Sequence, residues 1–172
     1  MTAGTLADAL EREHRDIDGG IEEYSAGLSH NETDPTPLLR AMRGLRRHIY
    51  LEEQILFPPL KATMAMPIFV MVREHGELWD AMDQLDAMLA SEANPRTMHD
   101  ACRELLAKLD AHNSKEEPII YSKADESLDA DAAARLREFL ARGTIPDGWR
   151  CEKASAVPAL PQRETNPHGT ME

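Results

Sequence analysis

The sequence predicts an all-α protein: an up-down-up-down four-helix bundle with a short fifth helix and a disordered C-terminal tail. Three observations carry that reading. Apolar residues recur at three- and four-residue steps in four separate runs, the spacing that gives a helix one buried face. Clusters of turn-forming residues separate the runs, and connections this short join antiparallel neighbours. Aromatic residues make up only 5% of the chain, which leans away from sheets.

The first run is Leu6, Leu10, Ile17, Ile21, Tyr24 and Leu28, with a polar gap at positions 13 and 14. A turn follows from Asn31 to Pro37. The second run is Leu38, Met42, Leu45, Ile49 and Ile55, and Pro58-Pro59 with Pro67 mark the next break. The third is Ile68, Met71, Leu78, Met82, Leu85 and Leu89, closed by the turn signals from Ser91 to Pro95. The fourth is Met98, Cys102, Leu105, Leu109 and Ile119. Asp129 is a good N-cap for a fifth helix ending at Arg142, with Gly143 as its C-cap. The bundle and this helix thus fill residues 1–143. From 144 to 172, Pro146, Pro158, Pro161 and Pro167 punctuate a polar stretch without period, read as a flexible tail.

The length suits one domain. Lys plus Arg number 19 against 31 Asp plus Glu, a net charge of −12. Residues 142–172 are charge-balanced, so the negative charge sits on the bundle and argues against nucleic acid or anionic lipid as a partner. Two cysteines, Cys102 and Cys151, are too few for a disulfide framework or a zinc–thiolate site. The first residues lack the basic and apolar segments of a signal peptide. The longest apolar stretch, Met64 to Val72, has nine residues and contains Pro67, too short to cross a bilayer. The expected setting is a reducing cytoplasm, away from membranes.

Polar residues interrupt the apolar stripes at core positions: His14 in the first helix, His48 and Glu52 in the second, His75 in the third, His112 and Glu116 in the fourth. Burying such groups alone costs several kcal/mol each, and a bound cation is the simplest compensation. Counted from the helix ends at 1.5 Å per residue, the four histidines agree in height within about 5 Å. They therefore fall in one layer, with each His-x-x-x-Glu carboxylate one turn from its histidine on the same face. The chain also repeats itself. Arg12-Glu13-His14 recurs as Arg73-Glu74-His75, and the segment from His48 to Phe57 recurs as that from His112 to Tyr121. Each half supplies two histidines and one carboxylate, the ligand set of reactive non-haem Fe(II). Two facing halves suggest a dinuclear site that Glu52 and Glu116 are placed to bridge.

The stretches "HIYLEEQILFPPL" and "HNSKEEPIIYSKA", with the ordered set of histidines, resemble the hemerythrin-like HHE cation-binding domain family over roughly residues 5 to 124. The resemblance implies two iron ions joined by an oxo or hydroxo group, with manganese or zinc compatible. His14 and His48 would bind one, His75 and His112 the other, and Glu52 and Glu116 would bridge. Oxygen-carrying members have a further histidine four residues after the third-helix histidine. Here that position is Trp79, which cannot ligate, so the resemblance turns from carriage toward the four-His, two-Glu members, iron–sulfur-cluster repair proteins and an F-box iron sensor. The implied function is to bind or reduce small oxidants (oxygen, peroxide or nitric oxide) in oxidative or nitrosative stress or iron-centre repair, with an electron-donor protein as a partner. The alternative is a sensor of oxygen, nitric oxide or iron, or an oxygen-binding protein, without turnover.

Other residues read more plainly. Glu13, Glu53 and Glu117 are solvated or stand behind the ligands, and carboxylate or carbonyl acceptors are expected for the free imidazole N–H groups. Tyr24, Phe57, Trp79 and Tyr121 pack the core, with room for one of them to shape the cavity around the metals. Asp18 reads as surface, His30, His99 and His168 as solvated, and Cys102 as an inert buried thiol. A ferritin-like site needs two Glu-x-x-His motifs, and only Glu11-x-x-His14 fits.

Overall fold

The computed structural model describes residues 4–156. It is helical, and no strand occurs among the described residues. Helix α1 spans Leu6–Leu28 and α2 spans Thr36–Leu51. A π-helical turn, Glu52–Leu56, leads without a break into α3, Phe57–Ala90. Helix α4, Pro95–Glu116, passes through a second π-helical turn, Glu117–Tyr121, into α5, Ser122–Ser127. Helix α6 is Ala130–Arg142.

The helix starts follow from their caps. Thr5 and Asp8 form a capping box on α1. Asn94 caps α4 through the Thr97 N–H. Asp129, the N-cap that the sequence predicts, caps α6 through the Ala132 N–H. Gly143 ends α6 in an extended conformation.

The chain reverses between α2 and the body of α3, but not at Pro58-Pro59. Those prolines sit within the continuing helix, in the turn directly after the π-helical turn. The break lies at Met64 (φ −131°, ψ 35°), and Pro67 opens the returning arm. The reversal is proved by a contact: Glu53 and His75, which a straight helix would separate by about 33 Å, lie 2.7 Å apart. By length and composition Thr36–Ala90 is long and apolar enough to cross a membrane, but it is a hairpin of two packed arms.

The core consists of two apolar clusters with a polar layer between them. One gathers Ile17, Ile21, Leu45, Leu78, Met82, Leu105 and Leu109 toward the α1–α2 and α3–α4 turns. The other gathers Leu6, Leu10, Leu56, Phe57, Leu60, Met71, Ile120 and Leu136 of α6. The layer between holds His14, His48, Glu52, His75, His112 and Glu116.

Two stripe positions move. Ile119 is 46% exposed and Ile55 half-buried, whereas Leu56 and Ile120 are buried. Each π-helical turn inserts one extra residue, which rotates the following residues and hands the core position to the next one.

Residue 144 is not the start of a flexible tail. After α6 the chain docks on α3. Trp149 packs edge-on against Trp79 (5.5 Å) and Tyr50 (4.9 Å), Arg150 pairs with Asp83 at 2.7 Å, and Cys151 is buried. The Ser155 N–H and hydroxyl donate to Asp80 at 2.8 and 2.6 Å. A Cβ on Gly76 would collide with the Lys153 carbonyl, so glycine is what lets the segment lie this close. A few anchors do this without any period, which is why the segment reads as tail from sequence. The remainder of the expected tail, 157–172, and His168 with it, lies outside the described residues.

Candidate metal centre

The structure brings all six candidate residues together. His14 comes from α1, His48 from α2, Glu52 from its π-helical turn, His75 from α3, and His112 and Glu116 from α4. None is more than 4% exposed. The imidazoles form two pairs, His14–His48 at 4.7 Å and His75–His112 at 5.1 Å between ring centres. Glu52 lies between the pairs, with Oε1 3.1 Å from His48 Nε2 and 3.7 Å from His75 Nε2. Glu116 mirrors it, with Oε2 3.5 Å from His14 Nε2 and 3.3 Å from His112 Nε2. Each carboxylate therefore touches one histidine of each pair. One group of donor atoms (His14, His48, Glu52, Glu116) and a second (His75, His112, Glu116) each lie within 4.8 Å of one another.

A second ring stands behind the first. The Nδ1–H of His48 donates to Glu13 Oε2 at 2.9 Å, and that of His14 to Glu117 Oε1 at 2.9 Å. The Nδ1–H of His75 donates to Glu53 Oε2 at 2.7 Å, and that of His112 lies 3.4 Å from Glu74 Oε2. Each acid sits next in sequence to a residue of the inner ring but serves the histidine of a neighbouring helix, and the four contacts close a circle through the bundle. Such carboxylates fix the tautomer, keep Nε2 unprotonated and raise its basicity. The acids are themselves held: Glu13 pairs with Arg47 at 2.7 Å, Glu74 with Lys115, and Glu53 accepts the Glu152 N–H at 3.0 Å. Sequence reasoning expected acceptors here without assigning them. The signal was present in the repeated Arg-Glu-His and His-x-x-x-Glu-Glu strings, each of which sets an extra acid beside a core residue.

The electrostatics show what the layer lacks. Burial alone would raise both inner carboxyls. For Glu116 the neighbouring His112, Glu52 and His14 outweigh burial and hold it well below the usual carboxylate range. Burial and the Glu116 charge push Glu52 well above it. Burial also lowers His75. His75 Nε2 and both Glu116 oxygens are buried without a hydrogen-bond partner. Glu116 Oε2 lies between His14 and His112, on the inner side of the layer. A cation there would satisfy the orphaned atoms and allow both carboxyls to be charged, and a set of imidazole nitrogens and carboxylate oxygens suits iron, manganese or zinc.

Tyr121, one of four aromatics expected to pack the core with room for one to shape the cavity, reaches into the same layer. Its hydroxyl lies 2.7 Å from His48 Nε2, 2.9 Å from His14 Nε2 and 3.3 Å from Glu52 Oε2. Phe57, its counterpart in the repeat, stacks on His75 at 5.7 Å. Trp79 stays outside the layer, buried under Arg46 and Arg150. Asp18 is not plain surface: it is half-buried, its Oδ1 has no partner, and burial followed by Glu22, Asp110 and Glu117 pushes its carboxyl up to about 6 against the pull of His14. His30 is exposed and His99 half-buried. Burial pushes the Cys102 thiol up to about 11, in line with an inert thiol, and that of Cys151 to about 12.

Among curated proteins, the chain is similar to the iron-sulfur cluster repair protein YtfE of Salmonella paratyphi B (strain ATCC BAA-1250 / SPB7) and of Salmonella newport (strain SL254). Both are 28% identical over 132 residues, covering 69% of this chain and 54% of each relative. The chain thus spans about half the length of the curated relatives it matches. No solved structure matches it. A family model, Hemerythrin HHE cation binding domain, matches residues 5–124, the segment that contributes both rings of the layer. With the ordered histidines and carboxylates converging as described, the chain belongs to the hemerythrin HHE cation-binding domain family.

Proposed function

We propose that the protein is a hemerythrin-like di-iron protein that binds or reduces small oxidants (oxygen, peroxide or nitric oxide), acting in oxidative or nitrosative stress or in the repair of iron centres. The observation that carries this reading is the buried layer itself: six ionisable side chains with orphaned inner atoms, each imidazole backed by a carboxylate. In this reading His14 and His48 would hold one iron and His75 and His112 the other, with Glu52 and Glu116 shared between them, in keeping with the way each carboxylate touches both pairs. Ferrous iron with an open position supplies electrons to small oxidants. The protein's part is to hold the donors at fixed spacing, to keep Nε2 free of protons through the outer carboxylates, and to limit solvent by the apolar clusters on both sides. The similarity to iron-sulfur cluster repair proteins supports the stress and repair context. The reading includes the reducing cytoplasmic setting, with which two free, buried thiols agree.

The test is turnover. The iron-loaded, reduced protein is mixed with peroxide, oxygen or nitric oxide in the presence of excess reductant. Continued consumption supports a redox role. Consumption of a single equivalent followed by a stop refutes it and assigns a binding or sensing role.

A further inference from the structure

The two halves of the layer are related by the internal repeat, yet they differ at one place. Tyr121 stacks on His14 at 5.3 Å, as Phe57 stacks on His75 at 5.7 Å. Both rings are fully buried. Only Tyr121 carries a hydroxyl, and all its polar neighbours belong to the layer: His48 Nε2, His14 Nε2 and Glu52 Oε2.

That hydroxyl is poorly served by hydrogen bonding alone. The Nδ1–H groups of His14 and His48 are committed to Glu117 and Glu13, so both Nε2 atoms are acceptors. Glu52 Oε2 is a third acceptor. One hydroxyl has one proton to donate, so two of the three acceptors face its lone pairs. The distances suit a different arrangement. Metal–nitrogen bonds of about 2.1 Å place neighbouring donors at right angles about 3 Å apart, close to the 2.7 and 2.9 Å found between the hydroxyl and the two nitrogens. No comparable oxygen stands at the other pair, where Phe57 takes the place and His75 Nε2 has no partner.

We propose that Tyr121 makes the centre chemically unequal: its oxygen is a donor to the cation held by His14 and His48, and the His75–His112 half, with Phe57 in the matching place, is the half left for an added small ligand. The proposal rests on the dinuclear reading above. Coordination exchanges the phenolic proton for the cation, one for one, with the proton leaving to solvent and no change in oxidation state.

Iron content and the visible spectrum of the oxidised, iron-loaded protein test this together. The expected result is binding at both groups of donors, with a phenolate-to-Fe(III) charge-transfer band whose resonance Raman spectrum shows tyrosinate ring modes. Tyr121→Phe should keep the iron and lose the band, and Phe57→Tyr should add a second tyrosinate signal. Full iron loading without a tyrosinate band in the wild-type protein overturns the proposal but leaves the dinuclear reading intact, as does an unchanged band in Tyr121→Phe. A wild-type protein that does not load both groups overturns the dinuclear reading, and the proposal with it.

Discussion

Glu53 is where the outer ring meets the C-terminal segment, and its replacement by glutamine isolates what a charge does there. One carboxylate oxygen accepts from His75 Nδ1–H at 2.7 Å and the other from the Glu152 N–H at 3.0 Å. Glutamine has nearly the same shape but only one acceptor oxygen. Whichever way the amide turns, one of two donors faces an NH2 group. Losing a hydrogen bond to a charged group costs about 1.5–3 kcal/mol. Independently, removing the carboxylate behind a metal-binding imidazole lowers affinity about 10- to 100-fold, equivalent to about 1.4–2.7 kcal/mol. Glu53→Gln is therefore expected to weaken metal binding by that factor if the amide oxygen turns to Glu152, or to loosen the docked segment if it turns to His75. Competition with a chelator reads the first outcome and the emission of Trp149, lodged against Trp79, reads the second. A variant that binds metal as tightly as the wild type and keeps the same tryptophan emission refutes the argument.

Other expectations follow from the same structure. Trp149→Ala removes the main anchor of the segment and should cost about 2 kcal/mol, a fall in Tm of about 4–8 °C, while iron content is kept; an unchanged Tm contradicts the docking. Asp18→Asn should stabilise the protein at pH 8 but not at pH 4. The fold raises this carboxyl from 3.8 to about 6, so its destabilising effect is absent below 3.8, grows as pH rises to 6 and is complete above. The difference, 6 minus 3.8, corresponds to at most about 3 kcal/mol, reduced to about 1–2 by solvent screening at a half-buried site. An equal effect at both pH values would contradict the assignment. Cys102 and Cys151, raised to about 11 and 12, should label slowly with a thiol reagent at pH 8 in the native protein and quickly once it unfolds; rapid native labelling of either would refute their burial.

The helices and the inner ring were legible in sequence for one reason. Histidine and glutamate at core positions break an apolar stripe, and the heights of His14, His48, His75 and His112 can be counted along regular helices. The count fails where the helix is irregular. After Glu52 and Glu116 a π-helical turn inserts a residue, so Leu56 and Ile120 take the places that Ile55 and Ile119 were expected to fill. The outer carboxylates were harder. Glu13, Glu53, Glu74 and Glu117 each act on a different helix from their own ligand neighbour, a relation that only packing reveals. Tyr121 sits at an apolar position, where a tyrosine reads as packing, although its alignment with Phe57 in the repeat was visible. The segment around Trp149 has no period to detect; it is held by single anchors to Asp80, Asp83 and Glu53.

The proposed function stands on a dinuclear centre held by these six side chains. The most direct measurement is an anaerobic ferrous titration of the metal-free protein, followed by metal analysis of the wild type and of Glu116→Ala. Saturation is expected at two irons per chain, one for each group of donors, with loss of most iron in the variant, whose missing carboxylate touches both histidine pairs. Saturation at one iron or none in the wild type, or two irons retained by Glu116→Ala, would contradict it.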